Sequence, residues 1–241
     1  KVGKLKVLGK TNKTGSIVRF KADKHIFSTT KYSFSQIAER AQEDAFLLEG
    51  LCLEVRDERV GKEREVRYHY ANGLTAFMDY LHEDKQTFHQ PVAFSGMVND
   101  IKVDCAFQYT DEYQENIFSF VNIVRTKDGG THETGAKNAF TKVFNEYARR
   151  NGILKDKDKN FEGSDVREGL TIILSLGIPE NLLQFEGQTK GKLGTPEAKN
   201  AVDQLVSEKL SFWLEENKEL ALTLIKKMQR ASQAREAASQ S

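Results

Sequence analysis

Most strand-like segments of this chain occur in adjacent pairs, and this arrangement limits the folds open to it. Residues 51–57 and 65–70 flank a charged turn, and residues 92–97 and 101–109 flank a shorter one. Such pairs predict antiparallel hairpins. Helical patterns separate the hairpins irregularly, without a repeated strand–helix–strand alternation. The sequence therefore predicts an α+β fold with a mixed sheet.

Two apolar runs and several helical patterns complete the chain. Residues 117–124 predict a central strand and residues 170–178 another. Thr195 and Pro196 have the residue types favoured at the N-cap and first position of a helix. Helices are predicted at 33–48, 74–81, 135–151, 165–169, 196–216 and 218–238.

Composition excludes several classes of protein. The 241 residues are 39% hydrophobic and 29% charged, which is enough apolar material for a core of one large or two small domains. The sequence contains no run of about 18 apolar residues, the length that a helix needs to span a membrane. The N-terminus lacks a signal-peptide pattern, so we expect a cytoplasmic protein. Cys52 and Cys105 lie in strand-like runs and are expected to be reduced thiols.

Charge is unevenly distributed along the chain. The net charge is +1, but residues 1–31 carry nine basic side chains and one acidic one, a local charge of +8. This segment also predicts two strands, at 4–8 and 16–20. A polyanion-facing surface and an ordinary solvated edge hairpin both fit this pattern. The chain begins as if in mid-structure, so we expect it to be part of a longer protein.

The polar loop 184–194 carries the most specific chemistry. Its three glycines allow positive φ angles and close approach of the backbone. Gln188, Thr189 and Lys190 supply an amide, a hydroxyl and a cation, a set suited to a phosphate group. The spacing of a Walker A loop is absent. A solvent-exposed loop with a charged tip is the alternative interpretation.

Other constellations favour structural interpretations. His132 and Glu133, after Gly129 and Gly130, could act as a base and its orienting partner, but turn and capping chemistry explains them as well. Asp156 and Asp158 could hold a cation, yet they lie in a polar, lysine-rich stretch. We predict no metal site. The basic residues around them either form a solvated loop or face DNA. The pair Phe212 and Trp213 is predicted to be in the core.

Taken together, a series of motifs resembles one family along nearly the whole chain. That family is the ATPase subunit of bacterial type IIA topoisomerases, in its second domain. The motifs are Thr14-Gly15, Val18-Arg19-Phe20, Ile26-Phe27, Ala45-Phe46-Leu47, Asp57-Glu58-Arg59, Tyr68-His69-Tyr70, Glu115-Asn116, Ser119-Phe120-Val121-Asn122, Gly129-Gly130-Thr131-His132-Glu133, Asn145, Tyr147-Ala148, Asp165-Val166-Arg167-Glu168-Gly169-Leu170 and Gln184-Phe185-Glu186-Gly187-Gln188-Thr189-Lys190.

The resemblance implies a transducer domain with a left-handed β-α-β crossover, shared with a ribosomal protein and other GHKL ATPases. Residues 1–28 would be the terminal strands of a preceding ATP-binding domain, and residues 29–194 the transducer. Residues 195–241 would be C-terminal helices leading toward the cleavage domain. The stretches 125–135 and 184–196 favour the topoisomerase IV branch, with the gyrase branch as the alternative.

The same resemblance implies the functional residues. Gln188 and Lys190 would contact the γ-phosphate of ATP, and Lys190 would be the catalytic residue of this chain. Lys127 would face DNA in a cavity of the dimer. ATP and Mg²⁺ would be bound mainly by a domain outside this chain. The partners would be DNA, the DNA-cleaving subunit of the topoisomerase and, with ATP bound, a second copy of the ATPase subunit in a homodimer; no membrane is expected.

Departures and absences limit what the chain does alone. Ala22 and the runs Asn122-Ile123 and Tyr70-Ala71-Asn72-Gly73 differ from the family pattern. The family's ATP-binding motifs and its Glu-Gly-Asp-Ser-Ala cleavage motif are missing from the sequence. We therefore expect that the chain alone neither hydrolyses ATP nor cuts DNA. A stand-alone DNA-binding scaffold and a purely structural interaction domain are the competing interpretations.

Overall fold

The protein is described here by a computed structural model covering residues 2–241. A five-stranded sheet forms its centre, flanked by helices and by two small hairpins. The elements in chain order are α1 (Phe34–Leu47), β1 (Cys52–Asp57), β2 (Arg64–His69), α2 (Gly73–Leu81), β3 (Val92–Val98), β4 (Ile101–Tyr109), β5 (Asn116–Val121), β6 (Val124–Arg125), α3 (Thr131–Arg150), α4 (Gly163–Arg167), β7 (Leu170–Gly177), a 3-10 turn (Glu180–Leu182), β8 (Phe185–Glu186), β9 (Lys192–Leu193), α5 (Pro196–Glu216) and α6 (Lys218–Ser239).

The central sheet is mixed, as predicted. Its strand order is β3-β4-β7-β5-β6, with β5 and β7 parallel and the other neighbours antiparallel. The chain leaves β5 through β6, α3 and α4 and returns as β7 beside β5, which is a β-α-β crossover. The left-handedness of that crossover stays a prediction. The α+β fold class is confirmed.

Both faces of the sheet are covered, and β4 and β7 alternate between two apolar clusters. Cys105 and Phe107 of β4 pack into the larger cluster with α3 and α5, whereas Ala106 packs into the smaller one with Phe77 of α2 and Phe46 of α1. Strands covered on both faces need apolar residues at nearly every position. This explains the apolar run that predicted β7, whereas β4, which contains Lys102 and Asp104, was predicted as half of a hairpin.

The predicted strands at 4–8 and 16–20 are wrong. Residues 2–33 contain neither helix nor strand, and their large apolar side chains lie in solvent, with Leu8 96% and Ile17 98% exposed. An isolated two-stranded hairpin is at best marginally stable in water. The described residues offer no sheet edge paired with this segment, so its alternating pattern alone does not form strands.

Two further boundaries differ from the sequence predictions. The strand expected over 117–124 breaks after Val121, because Asn122 and Ile123 adopt φ values of 49° and 73° and turn the chain into β6. It is an inner strand of the sheet, as predicted, because β7 pairs with it on one side and β6 on the other. Helix α3 begins at Thr131, four residues before the predicted start, directly after Gly130.

Helix α6 is fixed to the domain by charged groups. The ammonium of Lys227, only 8% exposed, donates to the Glu168 carboxylate at 3.1 Å and to the backbone oxygens of Glu168 and Glu112. Just over two helical turns further on, Arg235 donates twice to the buried carboxylate of Asp165. The last helix is therefore tied to the segment around α4 that leads into β7.

The cysteines are free thiols, as predicted, with Cys105 buried and Cys52 half-buried. Burial raises the pKa of the Cys105 thiol well above its usual range. In the part of the chain covered by the structure, no helix is long and apolar enough to cross a membrane.

Candidate functional site: a hairpin with polar side chains at its tip

Residues 184–194 form a small β-hairpin, which we call the 184–194 hairpin. Strands β8 and β9 pair antiparallel, with Phe185 opposite Leu193 and Glu186 opposite Lys192. The sequence predicted only a loop here, since strands of two residues leave no periodicity to detect. The pairing gives the polar tip a defined stem.

The base of the hairpin is fixed by a buried threonine. The Thr195 hydroxyl accepts from the Gln184 amide at 2.9 Å and donates to the Leu182 carbonyl at 2.9 Å. Thr195 occupies the predicted N-cap position of α5, and Pro196 the first helical turn, but the hydroxyl makes no capping hydrogen bond. The capping role is thus corrected: Thr195 ties the hairpin base to the start of α5.

A loop of residues 126–130, the 126–130 loop, binds the hairpin from the side. The Asp128 amide donates to the Gly191 carbonyl at 2.8 Å, and the Leu193 amide donates to the Gly129 carbonyl at 3.0 Å. Gly130 has a φ of 142°, and a Cβ there would lie 2.6 Å from the Leu193 nitrogen and closer still to its carbonyl oxygen. Gly130 is therefore required by its close contact with the hairpin.

The tip presents the side chains that the sequence singled out. Gln188, Thr189 and Lys190 are exposed, and within residues 2–241 none of their side chains makes a hydrogen bond. Gly187 has a φ of 80°, and Lys190 adopts a left-handed φ of 54°, so the tip turns sharply. An amide, a hydroxyl and an ammonium group thus stand together in solvent, where they can reach a ligand bound against the tip.

His132 and Glu133 do not form a catalytic pair. His132 is 0% exposed and its Nε2 lies 2.9 Å from the Thr126 hydroxyl, while the Glu133 carboxylate accepts from the Ser119 hydroxyl at 2.5 Å. Burial lowers the pKa of His132 to about 4, so the ring is neutral near pH 7. Because His132 lies beneath the 126–130 loop, the structural interpretation fits it.

Lys127 is an exposed residue of the 126–130 loop and precedes Asp128, whose amide is hydrogen-bonded to the hairpin. Burial raises the pKa of Glu43, and the nearby positive charges of Arg40, Arg125 and Lys127 oppose this rise. The DNA-facing role of Lys127 stays a prediction.

The remaining candidates are structural. The Asp158 carboxylate accepts from the Lys155 amide at 2.8 Å, and Arg149 donates to backbone oxygens of the same turn. Among residues 2–241, no group of three or more His, Cys, Asp or Glu side chains could hold a metal ion. Trp213 packs on Phe107, with ring centroids 5.1 Å apart, as predicted for a core residue.

Phe212 was predicted to be in the core, and this is wrong. Its side chain is 62% exposed. Neighbouring positions on a helix point about 100° apart, and here Trp213 faces the core while Phe212 points toward solvent.

A sequence profile of the family described as DNA gyrase B matches residues 73–241. This chain belongs to the DNA gyrase B family. It is similar to the B subunit of DNA topoisomerase 4 from Bacillus subtilis (strain 168), at 59% identity over 237 residues, 98% of this chain and 36% of that protein. The corresponding protein of Staphylococcus aureus (strain MW2) is 57% identical over 95% of this chain and 35% of its own length. The chain thus spans about a third of these relatives.

Solved structures have the same fold. The 43K ATPase domain of Thermus thermophilus gyrase B, in complex with an aminocoumarin, is 36% identical with a TM-score of 0.80, covering 90% of this chain and 58% of that one. The topoisomerase IV ATP-binding domain of Francisella tularensis, in complex with a small-molecule inhibitor, is 25% identical with a TM-score of 0.75, covering 88% and 57%.

Proposed function

We propose that this chain is the transducer segment of an ATP-dependent type II DNA topoisomerase. It would couple ATP binding and hydrolysis to DNA strand passage, and hence to decatenation and relaxation. The main support for this proposal is the 184–194 hairpin, which holds Gln188 and Lys190 in solvent on a stem fixed by backbone hydrogen bonds.

Similarity to an ATPase domain and an ATP-binding domain supports ATP as the ligand in this proposal. The related solved structures are called an ATPase domain and an ATP-binding domain, and this chain covers only 58% and 57% of them. The exposed apolar residues of the segment 2–33 support the same division, because strands that complete another domain would bury them. Residues 1–28 would then belong to the ATP-binding domain, 29–194 to the transducer, and 195–241 to the helices leading toward the cleavage domain.

The chemistry of the tip supports phosphate sensing. Lys190 is a flexible point charge and Gln188 a neutral donor, both suited to the oxygens of a γ-phosphate. A lysine there stabilises the charge that develops during hydrolysis, and it loses its contact when the phosphate leaves. The ATP and Mg²⁺ themselves would be bound mainly by residues outside this chain.

Identity of 57–59% to the DNA topoisomerase 4 relatives favours topoisomerase IV over gyrase for this chain. The partners would be DNA, the DNA-cleaving subunit of topoisomerase IV and, with ATP bound, a second copy of the ATPase subunit. Lys127 would face the transported duplex. The cytoplasm, where bacterial DNA lies, is the compartment this function requires.

Steady-state ATPase of the full-length subunit, with its DNA-cleaving partner and DNA present, tests the proposal. We expect Lys190→Ala to lower kcat by about 10²-fold or more, the effect of losing one charge-stabilising group. The matched control is Lys192→Ala, which removes an exposed lysine of the stem that pairs with Glu186 at 3.0 Å. That variant should stay within about twofold of wild type.

An unchanged rate in Lys190→Ala would contradict the proposal. The domain would then be better explained as a scaffold that holds DNA. Because Lys190 is exposed, its substitution should leave the thermal midpoint of the full-length protein unchanged, so a lost rate is not a lost fold.

A further inference from the structure

Four side chains form a continuous hydrogen-bond network beneath the 126–130 loop. Ser119 lies on β5, Thr126 follows β6, and His132 and Glu133 are in the first turn of α3. The hydroxyls of Ser119 and Thr126 are 2.6 Å apart. Ser119 also reaches Glu133 at 2.5 Å, and Thr126 reaches His132 Nε2 at 2.9 Å. We call these four residues the buried network.

The chemistry of the groups fixes the direction of the network. A carboxylate only accepts, so Ser119 donates its proton to Glu133. Ser119 then accepts from the Thr126 hydroxyl, and Thr126 accepts from a protonated Nε2 of His132. Each hydroxyl has one proton, and Thr126 shares its proton between the hydroxyl and the backbone carbonyl oxygen of Ser119, so loss of one hydroxyl breaks the whole sequence. Ser119, Thr126 and His132 are each no more than 2% exposed, which keeps water from replacing a missing link.

The network fixes both ends of the 126–130 loop. At its start, Thr126 donates to the backbone carbonyl oxygen of Ser119 through its amide at 2.9 Å and its hydroxyl at 3.1 Å. At its end, the Glu133 carboxylate lies against Gly129, where a Cβ would be 3.2 Å from Oε1. Between these points, Asp128 and Gly129 make the two backbone hydrogen bonds to the hairpin.

We propose that Ser119, Thr126, His132 and Glu133 are positioning residues that set where Gln188 and Lys190 stand. The inference rests on the proposed function, in which the tip meets a phosphate. The buried network touches no ligand itself and acts through the 126–130 loop and the backbone of the hairpin. Its effect should fall on kcat, because Lys190 acts where charge develops, while most ATP binding is supplied by residues outside this chain.

The test compares isosteric variants of one residue in the full-length protein, with its DNA-cleaving partner and DNA. Thr126→Val keeps the shape and removes the hydroxyl, and we expect kcat for ATP hydrolysis to fall by about 10- to 100-fold, as for a misplaced catalytic group, with KM changed less than about threefold. Thr126→Ser restores the hydroxyl and should recover most of the rate. The control Thr141→Val removes a hydroxyl that bonds only within α3 and should match wild type.

A double variant tests whether the network acts through Lys190. If it does, adding Thr126→Val to Lys190→Ala lowers kcat far less than adding it to the wild type, and the remaining loss comes from the displaced Gln188. An equal reduction in both backgrounds would overturn the inference, as would a wild-type kcat in Thr126→Val. A wild-type rate in Lys190→Ala alone would instead refute the proposed function.

Amide hydrogen exchange gives a readout independent of ATPase. Thr126→Val should speed exchange at the amides of Asp128 and Leu193, which join loop and hairpin, and Thr141→Val should not. Unchanged exchange at these amides would refute the positioning role whatever the rates. If Thr126→Val fails to fold, Ser119→Ala removes the next link of the network, and the same two amides report the result.

Discussion

Gly130→Ala should destabilise the protein through a contact 63 positions along the chain. Gly130 has a φ of 142°, and an added Cβ would lie 2.6 Å from the Leu193 nitrogen. The obstacle is backbone on both sides, since the Leu193 amide is itself bonded to the Gly129 carbonyl. No rotamer change can relieve such a contact.

Two routes are open to the variant, and the less costly one sets the magnitude. If the hairpin stays in place, backbone strain of about 1–3 kcal/mol is joined by overpacking of about 1–3 kcal/mol. If it moves away, two backbone hydrogen bonds worth about 0.5–1.5 kcal/mol each are lost. Part of the burial of Leu193, worth about 1.5–3 kcal/mol when complete, is lost as well. The first route costs about 2–6 kcal/mol and the second about 2–4 kcal/mol, so we expect a loss of about 2–4 kcal/mol in the free energy of unfolding.

Urea unfolding followed by circular dichroism measures this loss. Gly152→Ala is the matched control, because Gly152 has a φ of 72° but open space around the added Cβ. The control isolates the cost of a left-handed alanine, about 1–2 kcal/mol. If Gly130→Ala destabilised the protein no more than Gly152→Ala, the close contact between loop and hairpin would be refuted.

Two further predictions concern the β5–β6 turn and the buried histidine. Ile123 has a φ of 73° in a two-residue turn, so Ile123→Gly should stabilise the protein by about 0.5–1 kcal/mol, since relief of left-handed strain exceeds the added chain entropy. Thermal unfolding measures this, and a lower midpoint would mean that contacts of the Ile123 side chain outweigh the strain. Burial lowers the pKa of His132 to about 4, so its contribution to stability is complete above the ordinary histidine pKa and is lost as pH falls toward 4. Wild type should lose about 2 kcal/mol more than His132→Gln between pH 7 and 5, and equal losses in urea titrations would contradict the assignment.

The local sequence pattern correctly predicted those elements in which the spacing of apolar residues agrees with the buried positions. The hairpins β1–β2 and β3–β4 were correct, because alternation and turn residues are local properties. The strands expected at 4–8 and 16–20 were wrong, since the same alternation forms a strand only beside a sheet. Helix α3 begins at Thr131, whose hydroxyl donates to the Thr195 carbonyl at 2.6 Å, a partner no local pattern reveals.

The candidate site was also predicted only in part from the sequence. Residue types alone suggested a phosphate-binding role for Gln188 and Lys190, and that role stays a prediction. The stem of the hairpin could not be predicted because its strands have two residues each. The changed role of Thr195 and the buried network depend on individual side-chain hydrogen bonds, which leave no periodic pattern in the sequence. The glycine pair at 129 and 130 was recognised as a turn, but its close approach to Leu193 is visible only in the fold.

The most direct test of the central claim is a structure of the ATPase region of the full-length protein with Mg²⁺ and a non-hydrolysable ATP analogue. The measured quantity is the distance from Lys190 Nζ to the nearest oxygen of the γ-phosphate. We predict about 2.7–3.2 Å, a charge-assisted hydrogen bond, with Gln188 donating to the same phosphate. A hairpin tip in solvent, with Nζ beyond about 6 Å from a well-defined γ-phosphate, would contradict the account.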